Sequence, residues 1–109
     1  MSTALPVVNG RFLRGVEANG KLHRDFEMRP LLVRDSEKAL KAMADIKSDS
    51  QVRLQCELFA QQFNRIGDLV RGQITGEMLL DLVDSDFQML KGLDDDLQKK
   101  MADAIPKEG

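Results

Sequence analysis

The sequence predicts an α+β fold that is mostly α, with a small N-terminal antiparallel β-hairpin or meander followed by three to four helices. Two Asn-Gly pairs, Asn9-Gly10 and Asn19-Gly20, stand ten residues apart near the start, and this dipeptide favours the tight turn of a hairpin. From about residue 35 onward, apolar residues recur every three or four positions, which is the period of a helix. A chain of 109 residues fits one domain, with the sheet at about residues 5–29 and the helical region at about 35–105.

Composition and charge indicate a globular chain and disfavour several classes of protein. Hydrophobic residues make up 42% and charged residues 31% of the chain, and the formal net charge is −2 with no basic run. Neither a disordered protein nor a dedicated nucleic-acid-binding module is therefore expected. No apolar stretch approaches the roughly 20 residues that cross a bilayer, and the start lacks the pattern of a signal peptide. Since the single cysteine, Cys56, cannot form an internal disulfide, we expect a protein of the reducing cytoplasm without membrane contact.

The N-terminal sheet is expected to contain three short strands, at about residues 5–8, 11–17 and 21–28. A tight turn at the second Asn-Gly pair sets Arg14 opposite Asp25 as an ion pair. The same register sets Leu13 opposite Phe26 as an apolar pair. Apolar and charged residues alternate in the third strand without leaving either face wholly apolar. One face is therefore expected to meet solvent, or a second copy of the protein, since edge strands are open to pairing.

Four helices are expected at about residues 36–46, 51–70, 75–83 and 85–105. Asp35 is placed to cap the first helix, in which Leu40 and Met43 point toward the core, and Thr75 is placed to cap the third. Gly67 marks a bend or close packing within the second helix. The apolar stripe of the second helix comprises Val52, Cys56, Phe59, Phe63, Ile66 and Val70. That of the fourth comprises Phe87, Leu90, Leu93, Leu97, Met101 and Ile105, and Ser85-Asp86-Phe87-Gln88 forms a capping box at its start.

The side chains that carry chemistry are few and scattered. His23 is the only histidine, and its charged neighbours on the hairpin favour a solvated side chain over a general base. Cys56 lies on a core stripe with no histidine placed to activate it, so it is expected to be a small buried hydrophobe. The run Asp94-Asp95-Asp96 lacks the alternating oxygen ligands and the glycine of a calcium loop. We therefore expect a non-enzymatic protein with no catalytic residues, cofactor or metal ion.

The apolar residues between 78 and 90 exceed what a small core requires. They surround more than one side of a short helix in the segment Met78-Leu79-Leu80, Leu82-Val83 and Phe87-Gln88-Met89-Leu90. Methionine adapts to varied contacts, and a peptide-binding groove or an oligomer contact would use such an excess. The excess therefore favours a protein that binds another protein.

The order and spacing of several short segments resemble the small tail assembly chaperones of long-tailed bacteriophages, especially those of Mu-like and related contractile-tailed phages. The matching segments are, in order, Phe26-Glu27-Met28-Arg29-Pro30, Ile66-Gly67, Ile74-Thr75, Met78-Leu79-Leu80, and Asp86-Phe87 followed by Leu90. They span roughly residues 19–105. The turn at Asn9-Gly10 and the basic residues Arg11 and Arg14 are not features of that family pattern.

The resemblance implies a non-catalytic role in the cytoplasm of an infected bacterial host. Chaperones of this family bind the long, largely helical tape measure protein, keep it soluble, help tail tube protein subunits to assemble around it, and are absent from the mature virion. The partner-binding residues are then expected to be Met78, Leu79, Leu82, Phe87, Met89, Leu90 and Leu93. Ordinary packing inside the core explains most of the same residues equally well.

Two other interpretations remain open from the sequence. In the first, residues 75–104 form the helix-turn-helix of a small DNA-binding regulatory protein. The acidic run Asp94-Asp95-Asp96 weakens it, because phosphates would repel the recognition helix. In the second, the protein is a structural component of the tail and stays in the particle.

Overall fold

A computed structural model describes residues 4–104 and confirms an α+β fold that is mostly α. Its strands are β1 (Val8–Ala18), β2 (Lys21–Met28), β3 (Phe63–Ile66) and β4 (Leu69–Val70). Its helices are α1 (Val33–Asp45), α2 (Gln51–Gln62), α3 (Gly76–Leu79) and α4 (Asp84–Ala104), and a short 3-10 turn at Arg71–Gln73 joins β4 to α3. The strands form one antiparallel sheet in the order β1-β2-β3-β4.

One of the two predicted Asn-Gly turns is present. Asn19 and Gly20 have φ values of 55° and 79° and close the hairpin between β1 and β2, as expected for this dipeptide. The turn predicted at Asn9-Gly10 is wrong, because both residues lie within the continuous strand β1. Gly10 stands opposite Phe26, and a Cβ at Gly10 would lie 2.4 Å from the Phe26 ring. Glycine is therefore needed here so that the aromatic ring can lie over the backbone.

The predicted register of the hairpin is also wrong, because β1 contains a large bulge. Asp25 pairs with Arg11 and Phe26 with Gly10, whereas Val16 pairs with His23. Residues 12–15 consequently stand opposite Arg24 alone. Gly15 has a φ of 94°, and a Cβ there would lie 2.3 Å from the carbonyl oxygen of His23. A bulge of this kind bends the strand and changes which side chains face the core.

The long helix predicted over residues 51–70 is shorter in the structure, with 12 residues. α2 ends at Gln62, and the chain continues as β3 and β4, joined by a turn in which Gly67 has a φ of 56°. Phe63 and Ile66 are buried as expected, but they are strand residues that pair with Met28 and Phe26. Phe63 and Ile66 are three residues apart, a spacing that fits one face of a helix. In β3 both residues are nevertheless buried, because the pairing between β2 and β3 shifts its register beside Met28.

α1 begins earlier than predicted, and Asp35 is not its N-cap. Leu32 occupies that position and Asp35 is the third helical residue. The Asp35 carboxylate accepts the backbone N–H of Leu32 at 2.8 Å and two hydrogen bonds from Arg29 at 2.7 and 3.0 Å. Met43 is buried as expected, but Leu40 faces solvent. Asp35 therefore anchors the start of α1 to the end of β2.

The core lies between the sheet and the helices and is centred on aromatic rings. The Phe12 and Phe26 ring centroids are 4.4 Å apart, and the Phe63 ring meets Phe26 edge-on at 5.5 Å. α2 contributes Phe59, and α4 contributes Leu90 and Leu97, all fully buried in the same cluster. The first part of α4 is tied to the sheet by Asp86, which is also fully buried.

The predicted cap of α3 is confirmed and its energetic contribution can be measured. The Thr75 hydroxyl accepts the backbone N–H of Met78 at 3.2 Å. Replacing Thr75 by alanine leaves that N–H without its side-chain partner, and we expect a loss of about 1 kcal/mol in the free energy of unfolding. Urea denaturation of Thr75→Ala beside Thr75→Ser, which keeps the hydroxyl, tests this. Equal stability of the two variants would show that the hydroxyl cap contributes nothing.

Candidate partner-binding cleft

A small cleft with mainly apolar side chains opens between the first turns of α2, the residues from Leu79 to Leu82 at and after the end of α3, and the start of α4. We call it the α2–α4 cleft, and its volume is about 160 Å³. Its lining residues are Val52, Cys56, Leu79, Leu80, Leu82, Asp84 and Phe87. Small-molecule sites usually have volumes of roughly 300–1,000 Å³. The cleft is therefore better matched to one large apolar side chain of a partner than to a metabolite.

Apolar side chains around this cleft remain in contact with solvent. Val52 is 59% exposed and Leu80 is 44% exposed, on opposite elements that both line the cleft. Val83, which lies between Leu82 and Asp84 in the sequence, is 38% exposed. Single exposed apolar residues are common on proteins. Several around one concave site instead indicate an interaction surface.

Phe87 lies against the body of the protein with its ring fixed from two sides. Its ring meets that of Phe59 edge-on, with centroids 5.7 Å apart and an interplanar angle of 81°. The ammonium group of Lys91 lies 5.2 Å from the Phe87 centroid, within the range of a cation–π contact. The aromatic wall of the cleft is therefore preorganised.

The other wall is fixed by close contact between α2 and α3. Gly76 packs directly on Glu57, since a Cβ at Gly76 would lie 2.2 Å from a Glu57 carboxylate oxygen. Glu57 is itself buried and accepts a hydrogen bond from Nε of Arg53 at 2.8 Å. A side chain at position 76 would displace the Glu57 carboxylate from its place beside Arg53 or move α3 away from α2. The close contact at Gly76 and the ion pair between Arg53 and Glu57 therefore hold the start of α3 against α2.

Cys56 lies inside the α2–α4 cleft and is almost completely buried. Burial raises the pKa of the Cys56 thiol; the nearby Arg53 partly opposes this, and Glu57 adds to it. The side chain is therefore a neutral thiol at physiological pH and contributes apolar surface to the cleft, without the thiolate that a nucleophile requires.

The seven residues predicted to bind a partner are divided among different surroundings. Leu79 and Leu90 are fully buried core residues; Leu79 also lines the α2–α4 cleft, whereas Leu90 does not. Leu82 and Phe87 are partly buried and line the cleft. Met89 and Leu93 pack against the core outside it.

Met78, the remaining residue of that set, lies in a second, broader depression. This depression lies beside the β1–β2 turn, has a volume of about 830 Å³ and is mostly polar. Its lining residues are Arg14, Glu17, Ala18, Asn19, Gly20, Thr75, Glu77, Met78 and Asp81. We call it the hairpin depression. Met78 and Phe87 therefore line different surfaces.

Val52 is the main cleft residue that the sequence did not predict. It was assigned to the buried stripe of the second helix, whereas it is more than half exposed. Val52 lies in the first turn of α2, and α3 leaves that turn uncovered. Its place two residues after the N-cap Ser50 was the available signal, because the ends of a helix are less completely covered than its middle.

The prediction that His23 is solvated is wrong. The side chain is only 3% exposed, and Nδ1 accepts the backbone N–H of Asp68 at 3.2 Å. The other ring nitrogen, Nε2, lies 3.1 Å from the carbonyl oxygen of Ala18 and donates to it. The ring therefore joins the β1–β2 turn to the β3–β4 turn, and both of its nitrogens contact backbone groups.

The edges of the sheet are partly closed by side chains. Lys100 donates to the carbonyl oxygen of Val7 at 3.1 Å, just before β1. At the opposite edge, the side-chain oxygen of Gln73 accepts the backbone N–H of Val70 at 3.0 Å. Side chains that occupy edge groups oppose strand pairing with another chain. The expected contact with a second copy through a strand edge is therefore disfavoured at these positions.

Neither a metal site nor a membrane span is found in the part of the chain that the structure describes. Within residues 4–104, no three His, Cys, Asp or Glu side chains are grouped to hold a metal ion. No helix in the same range is long and apolar enough to cross a membrane. Asp94, from the acidic run, accepts a hydrogen bond from Gln62 at 2.9 Å and thereby links α4 to α2.

No protein-family model matches the sequence, and neither a curated protein nor a solved structure shows significant similarity to it. The grounds for a functional proposal are therefore the geometry of the α2–α4 cleft and the segments that resemble the phage chaperones.

Proposed function

We propose that this protein is a non-catalytic tail assembly chaperone of a long-tailed bacteriophage, which binds the tape measure protein through the α2–α4 cleft. The observation that supports this most directly is the apolar cleft with exposed Val52 and Leu80 at its mouth. We infer the partner, the tape measure protein, from the resemblance of the segments between residues 19 and 105 to the phage tail assembly chaperones. On this proposal the protein acts in the cytoplasm of the infected host, promotes assembly of the tail tube protein, and leaves before the virion is complete.

The physical demands of such a chaperone agree with the surface of this domain. A long amphipathic helix has an apolar stripe that aggregates in water unless it is covered. The α2–α4 cleft can take one large apolar side chain of such a stripe, and its burial contributes roughly 25 cal/mol per Å² of apolar surface. The formal net charge of −2 favours the solubility of this protein itself.

The proposal is tested first by co-expression with the tape measure protein encoded in the same genome. We expect a soluble complex of fixed stoichiometry by size-exclusion chromatography, formed only when this chain is present. A tape measure protein that stays insoluble and does not co-purify would contradict the proposal.

Substitutions at the mouth of the cleft test where the partner binds. We expect the double variant Val52→Ser with Leu80→Ser to bind the tape measure protein at least about tenfold more weakly, because about 1.4 kcal/mol of apolar contact is lost. Isothermal titration of the soluble complex components measures this. The exposed positions should leave folding nearly unchanged, within about 0.5 kcal/mol.

The matched control lies on α1, where Leu40 is 59% exposed, the same fraction as Val52. The variant Val33→Ser with Leu40→Ser changes the same two residue types away from the cleft and is expected to bind as the wild type does. A loss confined to the α1 variant would move the binding surface to α1 and refute the assignment to the cleft.

A structural role in the finished tail is the competing interpretation, because a tail component could use the same apolar surface. Mass spectrometry of purified virions separates the two, because the chaperone should be absent and a tail component should be present.

DNA binding is the weaker alternative. α3 has only four residues, which is short for the first helix of a helix-turn-helix, and Asp95 and Asp96 are exposed on α4.

A further inference from the structure

The segment from Thr75 to Leu82 has two chemically different sides. Leu79, Leu80 and Leu82 line the apolar α2–α4 cleft. Residues from the same segment, Glu77 and Asp81 among them, line the polar hairpin depression. Because Leu80 and Asp81 are consecutive, their Cα atoms are about 3.8 Å apart. The apolar cleft and the acidic depression are therefore adjacent surfaces separated only by this short segment.

The hairpin depression has an excess of negative charge. Three carboxylates line it, those of Glu17, Glu77 and Asp81, against the single guanidinium of Arg14. Arg14 lies 3.6 Å from Glu17 and pairs with it. Within residues 4–104, Glu77 and Asp81 form no salt bridge in the structure, and both are exposed. Their charges are available to a partner on the same side of α3.

A further carboxylate lies at the cleft itself. Asp84 lines the α2–α4 cleft and is exposed. The cation nearest the cleft wall, Lys91, lies over the ring of Phe87, and Arg53 is paired with Glu57. Lys91 keeps its positive charge in this contact and offsets the charge of Asp84, so the excess of acidic charge lies beside the cleft, in the hairpin depression.

We infer that the α2–α4 cleft and the hairpin depression together form one docking surface for a basic amphipathic helix. A large apolar side chain of the partner enters the cleft, and lysine or arginine side chains about one turn away along the helix reach Glu77 and Asp81 across α3. This inference rests on the proposed function for the use of the cleft and adds the charge of the bound segment. Charge complementarity of this kind selects partners and speeds association.

The inference is tested with two synthetic peptides and the full-length protein. Both peptides are amphipathic helices of about 18 residues, or roughly five turns, with the same Leu and Phe stripe. One carries lysine on its polar face and the other carries glutamate. By fluorescence anisotropy at low salt, we expect the lysine peptide to bind about three- to tenfold more tightly, since exposed ion pairs contribute roughly 0.2–1 kcal/mol each. The preference should shrink at high salt because these charges are screened.

Neutral variants locate the charges that matter. The variant Glu77→Gln with Asp81→Asn should lose most of the preference for the lysine peptide. The control Asp95→Asn with Asp96→Asn removes two exposed charges from α4, outside both surfaces, and should retain the preference. Equal binding of the two peptides to the wild-type protein would overturn the inference, and so would an equal loss of preference in both variants.

The same experiments separate this inference from the proposed function. If the tape measure protein co-purifies but the peptides show no charge preference, the chaperone proposal stands and the inference fails. If the lysine peptide is preferred and the tape measure protein does not bind, the docking surface stands and its partner is a different basic helical protein.

Discussion

Replacing Asp86 by asparagine is expected to lower the free energy of unfolding by about 2–4 kcal/mol, because hydrogen bonds to a charged group contribute roughly 1.5–3 kcal/mol each. One carboxylate oxygen accepts the backbone N–H of Leu13 at 2.7 Å, and the other accepts those of Arg14 at 3.0 Å and Gly15 at 3.1 Å. Asparagine retains one acceptor oxygen, and its NH₂ group would face at least one of the same donors.

This contact has a larger effect than its size suggests because it joins distant parts of the chain. The bulge of β1 presents three N–H groups that β2 cannot bind, and α4 supplies a single carboxylate for all of them. The matched control is Asp96→Asn, an exposed aspartate on the same helix. Urea denaturation should show a marked fall in the midpoint for Asp86→Asn alone. A loss below about 1 kcal/mol would show that water replaces the carboxylate at the bulge.

Local signals in the sequence located many of the elements. The turn at Asn19-Gly20, the bounds of β2, the start of α2 at Gln51 and the cap at Thr75 all depend on residues close together in the chain. The hairpin dipeptide and the hydroxyl cap act through their own backbone. The fold class follows from these signals together with the helical period.

Elements decided by distant partners were not predicted. The stretch Phe63–Ile66 has spacing that suits a helix, and it becomes a strand because Met28 and Phe26 offer backbone partners. The charged neighbours of His23 suggested a solvated side chain, and Asp86 was assigned to a capping box at the start of its helix. Their actual partners are Asp68 and residues 13–15. A bulge of four residues has no short-range signal that fixes its register.

Only some of the cleft residues could be predicted, because the cleft also depends on residues that are distant in the sequence. The apolar segment between residues 78 and 90 contains Leu82 and Phe87, which line the α2–α4 cleft. Periodicity could not separate these residues from Leu90, which the core covers completely. Val52 enters the site from a different helix and is 59% exposed in its first turn. The apolar character of the surface was therefore easier to predict than the set of residues that line it.

Replacing Arg29 by glutamine is expected to cost about 3–5 kcal/mol at neutral pH, because it leaves a buried carboxylate without its charged partner. The side chains of Arg29 and Asp35 are 13% and 3% exposed, and they form two hydrogen bonds at 2.7 and 3.0 Å. The exposed Arg34, in the first turn of α1, provides the control Arg34→Gln, which should change stability by less than about 0.5 kcal/mol. Chemical denaturation at pH 7 compares the three proteins.

The pH dependence of this loss distinguishes a charge effect from a packing effect. Burial opposes the charged form of Asp35, but the hydrogen bonds from Arg29 and from the Leu32 N–H, with the charges of Arg29 and Arg71, lower its pKa below the ordinary value. A carboxyl group whose pKa is lowered on folding contributes stability above the pKa of the unfolded chain, and this stability is lost as the pH falls through the folded-state pKa. The difference between wild type and Arg29→Gln should therefore be largest at neutral pH and should narrow below about pH 4, near the pKa of an unfolded aspartate. A difference that stays constant from pH 7 to pH 3 would show that Arg29 stabilises the fold by packing and not by its charge.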